Sequence, residues 1–199
     1  MKGILLAAAI AAAAVAAAPA GAHPSAAAPG TWCGGSLWKL MTLSDTGRKA
    51  VAWSPASTTV GDIAKLSAPS RVAASRSTSF QKQVWQLTAV VQSFRMASNG
   101  EIILELFDTK SSAYMDAYMP NPSCLSTATR GRTQILAARN TFMKSCPAPM
   151  PAWQTLGATV QLAGVGFWNP SKATQGASPN GAELRPVTGF TLVQGCGKF

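Results

Sequence analysis

Histidine is almost missing from this 199-residue chain, where His23 stands alone. That scarcity removes the commonest general base and most imidazole metal sets. Acid is scarce too, with seven Asp and Glu against seventeen Lys and Arg. No C-x-x-C pair occurs, so zinc lacks its usual ligand spacing. No G-x-S-x-G elbow occurs either, and Gly35-Ser36 stands in another context, with no base to activate a serine. The sequence therefore implies no metal, no cofactor and no enzymatic chemistry built on histidine, cysteine or serine.

What is present begins with an export signal. Lys2 precedes an apolar run from Ile4 to Ala18, and Ala20-Gly21-Ala22 forms a small-residue cleavage site. The run is alanine-rich, shorter than a membrane span and closed by Pro19, which disfavours a transmembrane helix. Cys33 follows Gly30-Thr31-Trp32 rather than an aliphatic lipobox. The expected organisation is a signal peptide over 1–22, an Ala/Pro-rich disordered leader over 23–32, an N-terminal extension over 33–79, and a main domain over 80–199. Removing Lys2 lowers the net charge from +10 to +9. Such a balance suits polyanions such as nucleic acid or acidic wall glycans, or simply keeps an exported protein soluble.

Cys33, Cys124, Cys146 and Cys196 make an even set, which in an oxidising compartment reads as two disulfides. Three pairings are possible. Cys124 and Cys146 bracket one helical segment, and Cys33 and Cys196 lie at the two ends of the folded part. The expected bridges are therefore Cys33–Cys196 and Cys124–Cys146, restricting the unfolded chain by about 4–5 and roughly 3 kcal/mol.

Short strands are expected over Leu37–Leu43 and Arg48–Trp53. Thr59-Val60-Gly61-Asp62 is a capping signal for a short helix containing Ile63 and Leu66. Residues 67–79, with Arg71 and Arg76, read as a surface linker. From Val84 the apolar residues alternate through Trp85, Leu87, Ala89 and Val91. After Gln92 the phase slips to Phe94 and Met96, which predicts a bulge. Ser98-Asn99-Gly100 is a hairpin turn. A second strand spans Glu101–Asp108, with Ile102, Leu104 and Leu106 inward, and a third spans Ala113–Met119. Thr133–Lys144 is the best helix, with Arg132 and Arg139 sharing its solvated face. Ala158–Trp168 and Ala182–Val193 close the series. Three strands, a helix and two strands is the order of an OB-fold, so the expected class is mainly β: a small five-stranded OB-fold-like barrel with N-terminal additions. An irregular α+β sandwich is the alternative.

The segments CGGSLWKLMTLSD, FQKQVWQLTAVVQSFRMASNGEIILELFD, AYMDAYMPNPSCL, QLAGVGFW and AELRPVTG resemble a family of uncharacterised secreted bacterial proteins of actinobacterial type. The resemblance runs collinearly over nearly all of the mature chain and implies no established activity. That family tends to place an acid and a histidine on the first turn and second strand, where this chain has Asn99–Ile103 without histidine. It tends to hold Asp and His-Gly-Gln in the loop after the fourth strand, against Asn169 and Thr174-Gln175-Gly176. It often reads Glu-Leu-His-Pro in the last strand, against Glu183-Leu184-Arg185-Pro186. A fainter likeness to staphylococcal-nuclease-like OB-folds would require a carboxylate cluster with an arginine pair, and no matching positions carry it.

A binding site is therefore expected on the face of the second and third barrel strands, fringed by loops. The candidate residues are Arg95, Tyr114, Tyr118, Trp168, Lys172 and Arg185, the basic ones for phosphate or carboxylate and the aromatic ones for stacking. Trp168, before Asn169-Pro170, is the aromatic most expected to be exposed, whereas Trp85 reads as barrel packing. Asp108 and Asp116 flank one connection and could meet as an acidic pair at a rim. The expected partner is a polyanion. The alternative is an envelope scaffold that binds other proteins.

Overall fold

The computed structural model describes residues 33–171 and 175–196. The expected signal and leader, residues 1–32, and Lys172 lie outside them. The described chain runs α1 (Trp38–Met41), β1 (Ala52–Ser57), α2 (Val60–Ala64), β2 (Gln83–Met96), β3 (Ile102–Asp108), β4 (Ala113–Met119), α3 (Arg132–Ser145), β5 (Gln154–Trp168) and β6 (Ala182–Gln194).

The alternation of apolar residues in β2 does what the pattern requires. Leu87, Ala89 and Val91 are buried, and after the slip Phe94 takes over. The register against both β3 and β5 shifts between Val91 and Ser93, which is the expected bulge. β2 bends there and serves three partners. Its second half pairs antiparallel with β3, its first residues pair parallel with β1, and β5 runs beside it from Val84–Val165 to Phe94–Gln154. The sheet order is β1-β2-β3-β4-β6-β5, and the β2–β5 pairing closes β2 to β6 into a ring. Numbered within the ring, the order is 1-2-3-5-4-1 with a helix between the third and fourth strands. This mainly β, OB-fold-like architecture is the expected class.

Helix α3 plugs the ring. Phe142 meets Phe94 and Phe190 edge to face, with ring centroids 5.4 and 5.5 Å apart, and is fully buried. Burying such a side chain stabilises by roughly 2–3 kcal/mol. A second apolar cluster of Leu43, Val51, Val84, Leu125, Ile135 and Val165 joins the N-terminal extension to the ring. The Thr59 hydroxyl caps α2 by accepting the Asp62 amide at 3.0 Å, as the capping signal predicts.

Two local expectations fail. Leu37–Leu43 is not a strand: Trp38–Met41 forms α1 with Leu40 turned inward, and the chain then turns at Leu43, whose φ is +54°, burying Thr42 and Leu43. Arg48–Trp53 is largely a 3-10 turn over Thr46–Ala50, and strand pairing begins at Ala52.

The disulfide pairing also differs. Cys33 is bridged to Cys124 and Cys146 to Cys196, with Cα atoms 5.3 and 4.6 Å apart. The reason is the length of α3. Its 14 residues span about 21 Å, whereas a bridge spans about 4.4–6.8 Å. The helix therefore holds apart the two cysteines that bracket it. Each turns instead to the chain beside it, Cys124 to the extension and Cys146 to the end of β6.

Arg76 and Arg139 were both expected on the surface, and both are buried. Arg76 lies 2.8 Å from Asp45 and donates to the carbonyls of Leu40 and Gln81. Arg139 donates to the carbonyls of Met119, Pro120 and Gly100, tying α3 to the end of β4 and the first turn. Arg132 remains exposed, because it stands at the first residue of α3.

Candidate functional site

The outer face of β2, β3, β4 and β6 carries the predicted site. Strand register sets out its side chains in rows. Ser93, Glu105, Asp116 and Glu183 stand in one row, each opposite the next. Arg95, Ile103 and Tyr118 form the next. Parallel pairing of Ala117 with Leu184 continues that row to Arg185 on β6. Alternation alone produces these rows, since their neighbours Phe94, Leu104, Met115, Ala117 and Leu184 point into the core.

Three carboxylates side by side across adjacent strands are an unfavourable arrangement in a sheet. It is held together by donors. The Ser93 hydroxyl donates to Glu105, and Asn169 donates to Glu183. Arg185 donates to Glu101, which also accepts from Asn99, and lies 3.8 Å from Glu183. The Arg185 guanidinium stacks over the Tyr118 ring at 4.1 Å.

The row is covered as well as crowded. Asp116, Glu183, Glu101 and Glu105 are 0%, 1%, 2% and 7% exposed. Gln175 reaches Glu105 at 3.4 Å. Gly176 comes so close that a Cβ there would lie 2.7 Å from both the Asp116 carboxylate and the Glu105 side chain. With φ at +79°, only glycine fits without strain. Burial pushes the Glu183 carboxyl up to about 7, against the pull of Arg185 and the Asn169 amide, and repulsion from Asp116 and Glu101 adds to it. Burial likewise raises the Tyr118 phenol, with the charges of Glu183 and Asp116 reinforcing it. Burial lowers the Arg139 guanidinium, with Glu101 opposing.

The predicted residues thus divide. Tyr118 and Arg185 meet, but each is less than a tenth exposed and turned to the chain's own acids. Arg95 is half-exposed beside Trp153, 5.2 Å from the ring centroid. Tyr114 lies further along β4, its ring 4.7 Å from that of Phe107. Trp168 is not exposed as expected. It is 2% exposed, packs against Phe80 at 4.7 Å and donates its indole N–H to Thr78. Phe80 and Thr78, from the stretch that leads into β2, are what cover it. Trp85 packs against Phe80 as read.

Asp108 and Asp116 do not pair. Asp116 is opposite Glu105, whereas Asp108 is opposite Ala113. Asp108 serves α2 and its own turn, accepting from the amides of Gly61 and Lys110 and from the Ser111 hydroxyl. Partial burial would raise its carboxyl, but those donors hold it below the usual range.

Charge is sorted between interior and surface. Of the seven acids, Asp45, Glu101, Glu105, Asp116 and Glu183 are buried, leaving only Asp62 and Asp108 in contact with solvent. Among the described residues there are fourteen basic side chains, seventeen less Lys2, Lys172 and Lys198, and only Arg76, Arg139 and Arg185 are buried. Eleven cations therefore meet solvent against two acids. Both acids sit at one place, Asp62 in α2 and Asp108 bonded to the Gly61 amide of that helix. The sequence balance understates this surface, because it counts acids that the fold removes from water.

Among the described residues, no group of three or more His, Cys, Asp or Glu could hold a metal ion. No described helix is long and apolar enough to cross a membrane. No family model and no curated protein matches the sequence. Among solved structures, the chain is similar to a protein described as an aspartyl-tRNA synthetase from Leishmania major Friedlin. That match has a TM-score of 0.44 and 14% identity over 75% of this chain and 23% of that one. It is also similar to the asparaginyl-tRNA synthetase of Entamoeba histolytica, with a TM-score of 0.36 and 11% identity over 58% of this chain and 21% of that one. The chain spans less than a quarter of either protein's length.

Proposed function

We propose that the protein is an exported, disulfide-stabilised module that binds a polyanion. The observation that carries this reading is the sorting of charge, which leaves eleven cations and two acids in contact with solvent among the described residues. A surface so one-sided steers polyanions and gains from counterion release when it meets them. The signal-like segment over 1–22, the two bridges and the resemblance to secreted bacterial proteins support export. The sheet face that OB-folds commonly use is occupied by the chain's own carboxylates under Gln175 and Gly176. Binding therefore falls to the cationic exterior. The test is retention of the oxidised protein on heparin and on immobilised single-stranded DNA across a salt series. Log affinity should fall linearly with log salt. A protein that passes through both columns at low salt would sink the reading.

A further inference from the structure

The exposed cations are not spread evenly. Lys39, Arg48, Lys49, Arg130 and Arg132 come from three separate stretches of sequence that hydrogen bonds draw into one neighbourhood, with Lys39, Lys49 and Arg132 exposed and Arg48 and Arg130 half-buried. Arg130 makes the convergence. Its guanidinium donates to the carbonyls of Arg48 at 2.8 Å, Lys49 at 3.1 Å and Val51 at 2.8 Å, and its amide donates to the Leu43 carbonyl. Arg132 follows two residues on. The Lys39 carbonyl accepts the amides of Ser44 and Asp45, and Arg48 donates to the Asp45 carbonyl. The acid of this neighbourhood, Asp45, is buried and engaged by Arg76. Five basic residues are thus rooted in adjoining backbone whose acid is already engaged from within.

Two further features adjoin the cluster. Trp53 is half-buried, with the Arg130 guanidinium 4.9 Å from its ring centroid and Gly131 against its edge. Helix α3 starts here without an acid in its first turn, so the positive end of its dipole adds to the field. We infer that this surface is a binding site for single-stranded nucleic acid, set apart from the sheet face that OB-folds commonly use. The exposed Arg132 offers phosphate oxygens a two-pronged fork. Lys39 and Lys49 add point charges, while Arg48 and Arg130 bond the chain's own carbonyls. Trp53 packs against the second apolar cluster and under Arg130 but stays only half-buried. The part of its indole that meets solvent can take a base edge or face, for which a sulfated glycan has no planar counterpart. The inference rests on the polyanion reading and gives it a place and a ligand.

Two triple variants of the full oxidised chain test it. The first is Lys39→Ala, Lys49→Ala and Arg132→Ala, all exposed, and the second is Arg71→Ala, Lys110→Ala and Lys144→Ala, exposed elsewhere. Both remove three charges, so they affect net charge equally. Binding of a labelled oligothymidylate is followed by anisotropy across a salt series, with a heparin fragment of matched charge as competitor. The first variant should lower the salt slope by about 2 and weaken binding tenfold or more at about 50 mM salt, while the second changes little. Circular dichroism and melting should match the parent for both. Equal loss from the two variants overturns the site but leaves the polyanion reading standing. Heparin binding without oligonucleotide binding overturns the ligand. No binding of either probe by the parent overturns both.

Discussion

Replacing Glu183 by Gln asks what the buried carboxylate row costs the fold. Glu183 is 1% exposed, and its carboxyl is raised from 4.5 to about 7. The native state therefore holds a proton that the unfolded chain releases at lower pH. Between pH 4.5 and 7 the native state binds more protons, so stability falls as pH rises through that window. At about 1.4 kcal/mol per unit, this one group removes about 3 kcal/mol by pH 8. The attraction of Arg185 is already contained in that net shift. Gln keeps the oxygen that accepts from Asn169 and carries no charge. The variant should match the parent near pH 5 and exceed it at pH 8 by up to about 3 kcal/mol. Urea unfolding followed by tryptophan fluorescence at pH 5, 6, 7 and 8 reads the difference, with equal m-values required. If the variant is the weaker protein at pH 8, Arg185 outweighs burial and repulsion, and the account of the row is wrong.

Arg185→Met removes the cation that Glu101 and Glu183 share. It should cost about 3–5 kcal/mol at pH 8 and less at pH 5, where Glu183 is neutral; an equal cost at both pH values would show that packing over Tyr118 is what was lost. Peptide mapping of the oxidised protein should find Cys33–Cys124 and Cys146–Cys196, and finding Cys33–Cys196 would overturn the fold at its ends. The double variant Cys146→Ala with Cys196→Ala opens a loop of 50 residues and should lose about 4 kcal/mol in thermal or urea unfolding.

The parts of the architecture legible in the sequence are those set by short-range pattern. Alternation placed β2 and β3, and the slip after Gln92 marked the bulge because a strand's side chains change face with each residue. The capping residue of α2 was readable for the same reason. Partner choice was not. Nothing local in Cys146 points to Cys196 rather than Cys124, and the length of α3 decides it. The site was legible only as a set of residues. Arg95, Tyr118 and Arg185 do share a face, but Gln175 and Gly176 close over Glu105 and Asp116 from about 60 to 71 positions away in the chain. Such coverage leaves no periodic mark. Arg76 and Arg139 looked like solvated cations because their acceptors are mostly backbone carbonyls, which every sequence has. The cationic cluster was hidden by distance, its members running from Lys39 to Arg132.

The two bridges lie one after the other along the chain rather than one inside the other. Residues 33–124 form the first loop and 146–196 the second, with α3 in the stretch between them. The first pair can therefore oxidise as soon as residue 124 has emerged, before β5 and β6 have been made, whereas a bridge from Cys33 to Cys196 would have to wait for residue 196. A chain that emerges N-terminus first, in any oxidising setting, can lock its leading half while its trailing half is still being delivered. The same arrangement has a weak point. A protease that cuts α3 leaves two separately bridged pieces with no covalent tie, held together only by strand pairing and core contacts.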